Sequence, residues 1–268
     1  MTTVVLRLLV AAWILVMLAR ASRAAWRHRR LTLLVWRRIR WRHVLGALGL
    51  LAVVGTLVTT LLVHVPGMSV GLGSLVGSSG NAVFIPLEEA VSRTGPVPGA
   101  GPDWALLLLS TAFFGGLVAL FPWLAFIEEE VFRAGLEDAS WPRELGTALV
   151  FGLAHLVMLV PVGAALAIAV AGFVYGRVYR AAYARTDGRG APDVAVAAYR
   201  PTRRAQAAAA RERARVIDEP ASRTVELVAP SPTRRQAEAV VAATVWHATF
   251  NTTVVGMVWL AIVLSALA

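Results

Sequence analysis

Residues 104–133 read WALLLLSTAFFGGLVALFPWLAFIEEEVFR. No residue from Trp104 to Ile127 carries a charge, and about 20 apolar residues carry a helix across a bilayer core. The character then changes abruptly to Glu128-Glu129-Glu130, and Arg133 follows. Apolar runs also occupy 3–18 (with Arg7 its only charge), 44–65, 145–159, 162–179 and 239–268. The runs at 145–159 and 162–179 are divided at Pro161. The expected fold is all-α, a polytopic transmembrane helical bundle of about six spans, the fourth being the shortest.

Composition agrees with this reading. The chain has 268 residues, 57 % hydrophobic and 16 % charged, against about 45–50 % and about 25 % in soluble domains. Disorder, collagen and small secreted scaffolds are excluded. The absence of cysteine excludes disulfides, thiolate zinc sites, iron–sulfur clusters and cysteine proteases. The net charge is +10, and every Lys or Arg position is Arg. An Arg-only set fits a GC-rich, bacterial genome.

The arginines also set an orientation. Residues 20–42 hold nine Arg and no acid, and 183–237 hold eleven Arg against six acids. Residues 66–103 hold only Arg93 against Glu88, Glu89 and Asp103. The positive-inside rule places the first two segments in the cytoplasm and the third outside. Six alternating spans satisfy it, with the N-terminus outside. The N-terminus lacks the basic n-region of a signal peptide, so the first run reads as an anchor in a bacterial plasma membrane. Basic juxtamembrane loops account for the positive charge. The partners expected are therefore membrane lipids and a membrane protein or peptide substrate, with no nucleic acid.

The chain divides into an anchor with an Arg-rich connector (1–43), a second span with an external Gly/Pro-rich loop (44–103), and a core (104–268) carrying an Arg-rich insert at about 183–237. In the connector, residues 26–41 mix Arg with Leu and Trp and suit an interfacial helix on anionic headgroups. In the insert, residues 203–215 are Ala- and Arg-rich and are expected to form a helix. Gly71, Gly73 and Gly77 lack phosphate-loop spacing.

Ionisable groups inside a membrane are costly and mark candidate sites. Glu129 and Arg133 stand four apart and can pair on one helix face. Adjacent carboxylates near apolar surroundings are candidates for a general base. The same Glu-Glu-x-x-x-Arg pattern recurs at Glu88-Glu89 and Arg93, in the external loop remote from other polar groups, and is read as a decoy. Phe151 and His155 share a face in the fourth span, and His247 and Asn251 share one in the last. By the orientation above, His155 and His247 each lie about nine or ten residues from the cytoplasmic end, or about 15 Å deep. A carboxylate, two imidazoles and an amide can thus meet in the cytoplasmic half of one bundle. Two His with one or two Glu (Glu128, His155, His247) could also complete a zinc site with an open position. The His-Glu-x-x-His motif is absent, and no cofactor is expected.

Glu128-Glu129…Arg133, Phe151…His155 and His247…Asn251 resemble the three motifs of the CPBP family, the CAAX-protease and bacteriocin-processing intramembrane endopeptidases related to the type II CaaX prenyl endopeptidase. Phe132-Arg133-Ala134-Gly135 and Trp246-His247-Ala248 resemble the family's local context. The resemblance covers roughly 104–264. It implies an intramembrane protease with a cytosol-facing cavity. Glu128 and His155 would activate water, His247 and Asn251 would stabilise the oxyanion, and Glu129 with Arg133 would brace the helix carrying Glu128. Phe151 would support His155. The family was long called metalloproteases, and its structural picture favours a glutamate-type mechanism without metal. Glu130 and the long insert depart from the family pattern. The insert could gate the cavity, bind anionic lipid or recruit a partner. Two other readings stand beside the protease: a non-enzymatic scaffold or immunity protein of the same fold, and a proton-coupled transporter with His155 and His247 as relay.

Overall fold

A computed structural model describes residues 2–73, 103–186, 193–200, 206–211 and 232–267, and they are helical with no strand among them. The helices are α1 (Thr2–Arg27), α2 (Arg29–Arg38), α3 (Trp41–His64), α4 (Trp104–Arg133), α5 (Trp141–Ala154), α6 (Val162–Arg185), α7 (Asp193–Ala198) and α8 (Pro232–Leu267). A shorter helical stretch occupies 206–211, inside the segment expected to be helical. The decoy Glu88–Arg93 lies outside the described residues.

Four helices, α3, α4, α6 and α8, are long and apolar enough to cross a membrane. They match the second, third, fifth and sixth expected spans. The fourth differs from expectation. Residues 145–159 do not form one helix. Helix α5 ends at Ala154, a 3₁₀ turn covers His155–Met158, and Leu159 is left-handed at φ 65°. His155 stands at this junction. Its Nδ1 bonds the Phe151 carbonyl at 2.9 Å, the acceptor its own backbone N–H would use in an α-helix. That N–H turns instead to Gly152 and Leu153, which tightens the chain into the 3₁₀ turn.

Caps and turns set the other ends. The Asp103 carboxylate accepts from the Leu106 N–H at 3.0 Å and starts α4. After α4 the chain turns at Gly135, whose φ of 89° suits glycine. Pro161 precedes α6. At the far end of α3, the Val162 and Gly163 N–H groups donate to the Val70 and Met68 carbonyls. The turn between α5 and α6 therefore stands level with the exit of α3.

Small residues let the helices close in. A Cβ on Gly152 of α5 would sit 2.3 Å from the Ala165 carbonyl oxygen and 2.7 Å from the Ala169 nitrogen of α6. A Cβ on Gly46 of α3 would sit 2.2 Å from the Trp246 ring of α8. Such close approach is how membrane helices gain packing without a hydrophobic drive. Helix α2 presents Leu31 and Val35, both buried, to the core formed by α4 and α8. Its apolar stripe thus covers protein. His28, at its start, stacks on Trp123 of α4 with ring centroids 4.3 Å apart.

Helix α8 has 36 residues, a length of about 54 Å at 1.5 Å per residue. This exceeds a hydrocarbon core of about 30 Å. Its first turns carry Arg234, Arg235 and Gln236. Gln236 donates to Glu137 at 3.0 Å and accepts from the Tyr199 hydroxyl at 3.2 Å. Helix α7 is held there as well, with Ala195, Ala198 and Tyr199 buried. Part of the Arg-rich insert is therefore docked on the bundle.

Candidate active site

The site forms where α4, α5, α6 and α8 converge. Glu129 of α4 is fully buried and has two partners. Its Oε2 accepts from Arg133 Nε at 3.1 Å, one helical turn along the same face. Its Oε1 lies 2.9 Å from His247 Nδ1 of α8. An ionised carboxylate can only accept, so this contact places a proton on Nδ1. His247 Nε2 then points to Glu128 Oε2, at 3.7 Å.

Glu128 differs from its neighbour. Its side chain is 36 % exposed, and its buried Oε2 makes no hydrogen bond among the described residues. Glu129 is thus spent on holding Arg133 and His247, while Glu128 keeps a bare oxygen at the edge of the site. Glu130 turns elsewhere and accepts from the Arg200 backbone N–H. The triplet therefore splits three ways: one carboxylate facing His247 Nε2 without a hydrogen bond among the described residues, one fixed between Arg133 and His247, one tying the insert to α4.

His155 comes from the end of α5. Its Nδ1 donates to the Phe151 carbonyl, because a carbonyl offers only lone pairs. The neutral ring then carries its lone pair on Nε2. The Phe151 ring is the hub between the histidines, with centroids 4.9 Å from His155 and 5.7 Å from His247. The Arg133 guanidinium lies over the same ring at 4.6 Å. Gly172 of α6 makes room for it, since a Cβ there would sit 2.6 Å from Phe151. No direct contact joins Glu128 to His155 among the described residues. Asn251 is half-buried one turn beyond His247, with no hydrogen bond to its amide among the described residues.

Sequence reasoning missed Tyr175 of α6. Its ring stacks on His247 at 4.6 Å with 19° between planes. It is 1 % exposed, and its hydroxyl has no partner among the described residues. Arg133 Nη2 is bare in the same way. Glu128 Oε2, Arg133 Nη2 and the Tyr175 hydroxyl are thus three buried polar atoms on residues of the site without a partner among the described residues. The available signal was a tyrosine between Gly172 and Gly176, the first polar group after an uninterrupted small and apolar run from Val162.

Among the described residues no three His, Asp or Glu side chains are grouped to hold a metal ion. His155 and His247 each turn Nδ1 to a protein acceptor, which leaves Nε2 as the free nitrogen of each ring.

No family model, curated protein or solved structure matches this chain.

Proposed function

We propose that the chain is an intramembrane endopeptidase that hydrolyses a peptide bond with activated water. The observation that carries this reading is the pairing of a bare Glu128 oxygen with an imidazole fixed 3.7 Å away by a buried carboxylate. A base next to a ring oriented by a third group is the arrangement that activates nucleophiles and water. Glu128 takes a proton from water, with His155 Nε2 as the second acceptor. The resulting hydroxide adds to the peptide carbonyl. The Asn251 amide donates to the oxyanion. His247 joins it when Nε2 holds a proton taken from solvent before the reaction and kept throughout it, so that Nε2 donates while Nδ1 stays on Glu129. Collapse breaks the C–N bond, and the amine leaves with the proton that Glu128 took.

The reading includes six crossings and a cytosol-facing site. The turn after α5 hydrogen-bonds to the chain just beyond α3, so α5 with its 3₁₀ turn reaches the level where α3 ends. The arginine-rich ends of α2, α6 and α8 gather at the opposite end, which the positive-inside rule places in the cytoplasm.

The test compares membrane-protein N-termini by mass spectrometry in cells producing equal amounts of folded wild type, Glu128→Gln, Glu130→Gln or His155→Ala. New N-termini are expected with wild type and Glu130→Gln, and absent with Glu128→Gln and His155→Ala. The same N-termini in all four would overturn the peptidase reading and favour the scaffold.

A further inference from the structure

A second site lies beside the first and is chemically unlike it. A cleft of about 680 Å³ opens between the α2–α3 junction, the last turns of α6, and α8. Its rim carries Arg37, Arg38, Arg40, Arg42, Arg177 and Arg185, and no acid among the described residues lines it. Arg177 touches Glu144 at 3.4 Å. The other five have no acidic partner among the described residues. The wall below is apolar, formed by Phe173, Val174, Val178, Val245 and Trp246.

Two further features place this cleft at a membrane surface. It opens where α3 begins and α6 ends, and both helices are long and apolar enough to span. Trp41, the first residue of α3, is 76 % exposed, and indoles at such a position sit at the headgroup level. A soluble anion needs the arginines alone. The arginine rim above an apolar wall matches an amphiphile with an anionic head and a hydrocarbon tail.

We infer that this cleft binds one anionic glycerophospholipid, its phosphate held by the arginines of the α2–α3 junction and its acyl chain laid along Phe173, Val174 and Trp246. Basic pockets between spans on the cytoplasmic side take such headgroups. The site does not depend on the peptidase reading. The two still share a wall, because Trp246 immediately precedes His247 and meets His43 of α3 edge-on at 5.1 Å.

The test uses the full chain in detergent, with native mass spectrometry counting retained lipid after addition of phosphatidylglycerol or phosphatidylcholine. Wild type should retain one phosphatidylglycerol in preference to phosphatidylcholine. Arg38→Gln/Arg40→Gln/Arg42→Gln should lower that retention at least about tenfold. Arg23→Gln/Arg27→Gln/Arg30→Gln removes the same charge from exposed positions and should leave retention as in wild type. If the first triple variant fails to fold, Arg37→Gln/Arg185→Gln replaces it, with the same direction expected. Equal loss in the control triple variant, or equal retention of phosphatidylcholine, would overturn the site. So would a thermal shift with inorganic phosphate as large as with phosphatidylglycerol, which would reduce it to a phosphate site without lipid.

Discussion

Replacing Arg133 with Met removes one partner of a buried ion pair while keeping most of its volume. Arg133 and Glu129 are 1 % and 0 % exposed, with Nε and Oε2 3.1 Å apart. Breaking such a pair from one side costs about 3–5 kcal/mol, because a buried charge is left behind. Here His247 still donates to Glu129, and one charge-assisted bond retains about 1.5–3 kcal/mol. The lower end, about 3 kcal/mol, is therefore expected. Glu129→Gln strands the guanidinium instead and should cost a similar amount. The double variant holds neither charge and should cost only about 1–2 kcal/mol, because neutral replacements of buried pairs are tolerated. The coupling should thus reach about 4–5 kcal/mol, above the usual range of about 0.5–3 kcal/mol for contacting residues.

The assay is reversible unfolding in mixed micelles, followed by far-UV circular dichroism for wild type, both single variants and the double variant. Glu128→Gln serves as the comparison. It should cost under about 1 kcal/mol, since Glu128 is 36 % exposed and makes no hydrogen bond among the described residues. Single variants that each cost under about 1 kcal/mol, or a double variant equal to their sum, would refute the idea that this pair organises the site.

Gly152→Ala should destabilise by about 1–3 kcal/mol or more, because its Cβ meets the backbone of α6. Gly116→Ala, with nothing within 4 Å of its Cβ, should stay within about 1 kcal/mol of wild type, and the same unfolding assay separates the two. Tyr175→Phe should leave stability unchanged or raise it by up to about 1 kcal/mol, since it removes a buried hydroxyl without a partner; a loss of 2 kcal/mol or more would show that the hydroxyl is bonded. His28 is held below its usual value of 6.5 by burial, then by Arg200 and Arg27. The unfolded chain therefore binds the proton more readily, and stability contributed by neutral His28 is present above about pH 6.5 and lost as pH falls below it. A pH series of thermal midpoints should show this slope in wild type and a shallower one in His28→Phe, and identical slopes would count against it.

The order of the four helices long and apolar enough to cross a membrane was legible, because a bilayer demands long uninterrupted apolar runs, and such runs survive any packing. The end of α5 at Ala154 was not, because it is a matter of local backbone geometry. The sequence marks His155 as a costly polar group but does not show its Nδ1 on the Phe151 carbonyl. The packing of α2 was hidden for a related reason. An amphipathic stripe of Leu31 and Val35 suits a headgroup layer or a protein groove equally well, and only the buried contacts with α4 and α8 decide between them.

The site shows the same division between what one helix encodes and what several make together. Spacing of four residues puts Glu129 over Arg133, Phe151 over His155 and His247 over Asn251, so each pair was readable alone. Spacing does not state how far each helix is rotated about its axis. That rotation determines which of three adjacent glutamates meets an imidazole. On a helix, neighbours point about 100° apart, so Glu128, Glu129 and Glu130 must address different surroundings. Glu129 meets Arg133 and His247, Glu130 meets the Arg200 backbone, and Glu128 is left at the rim. The third carboxylate of the run is engaged away from His247, on the Arg200 backbone N–H of the insert. Tyr175 lies beyond this reasoning altogether, since its partner on α8 is 72 positions away and nothing within α6 calls for it.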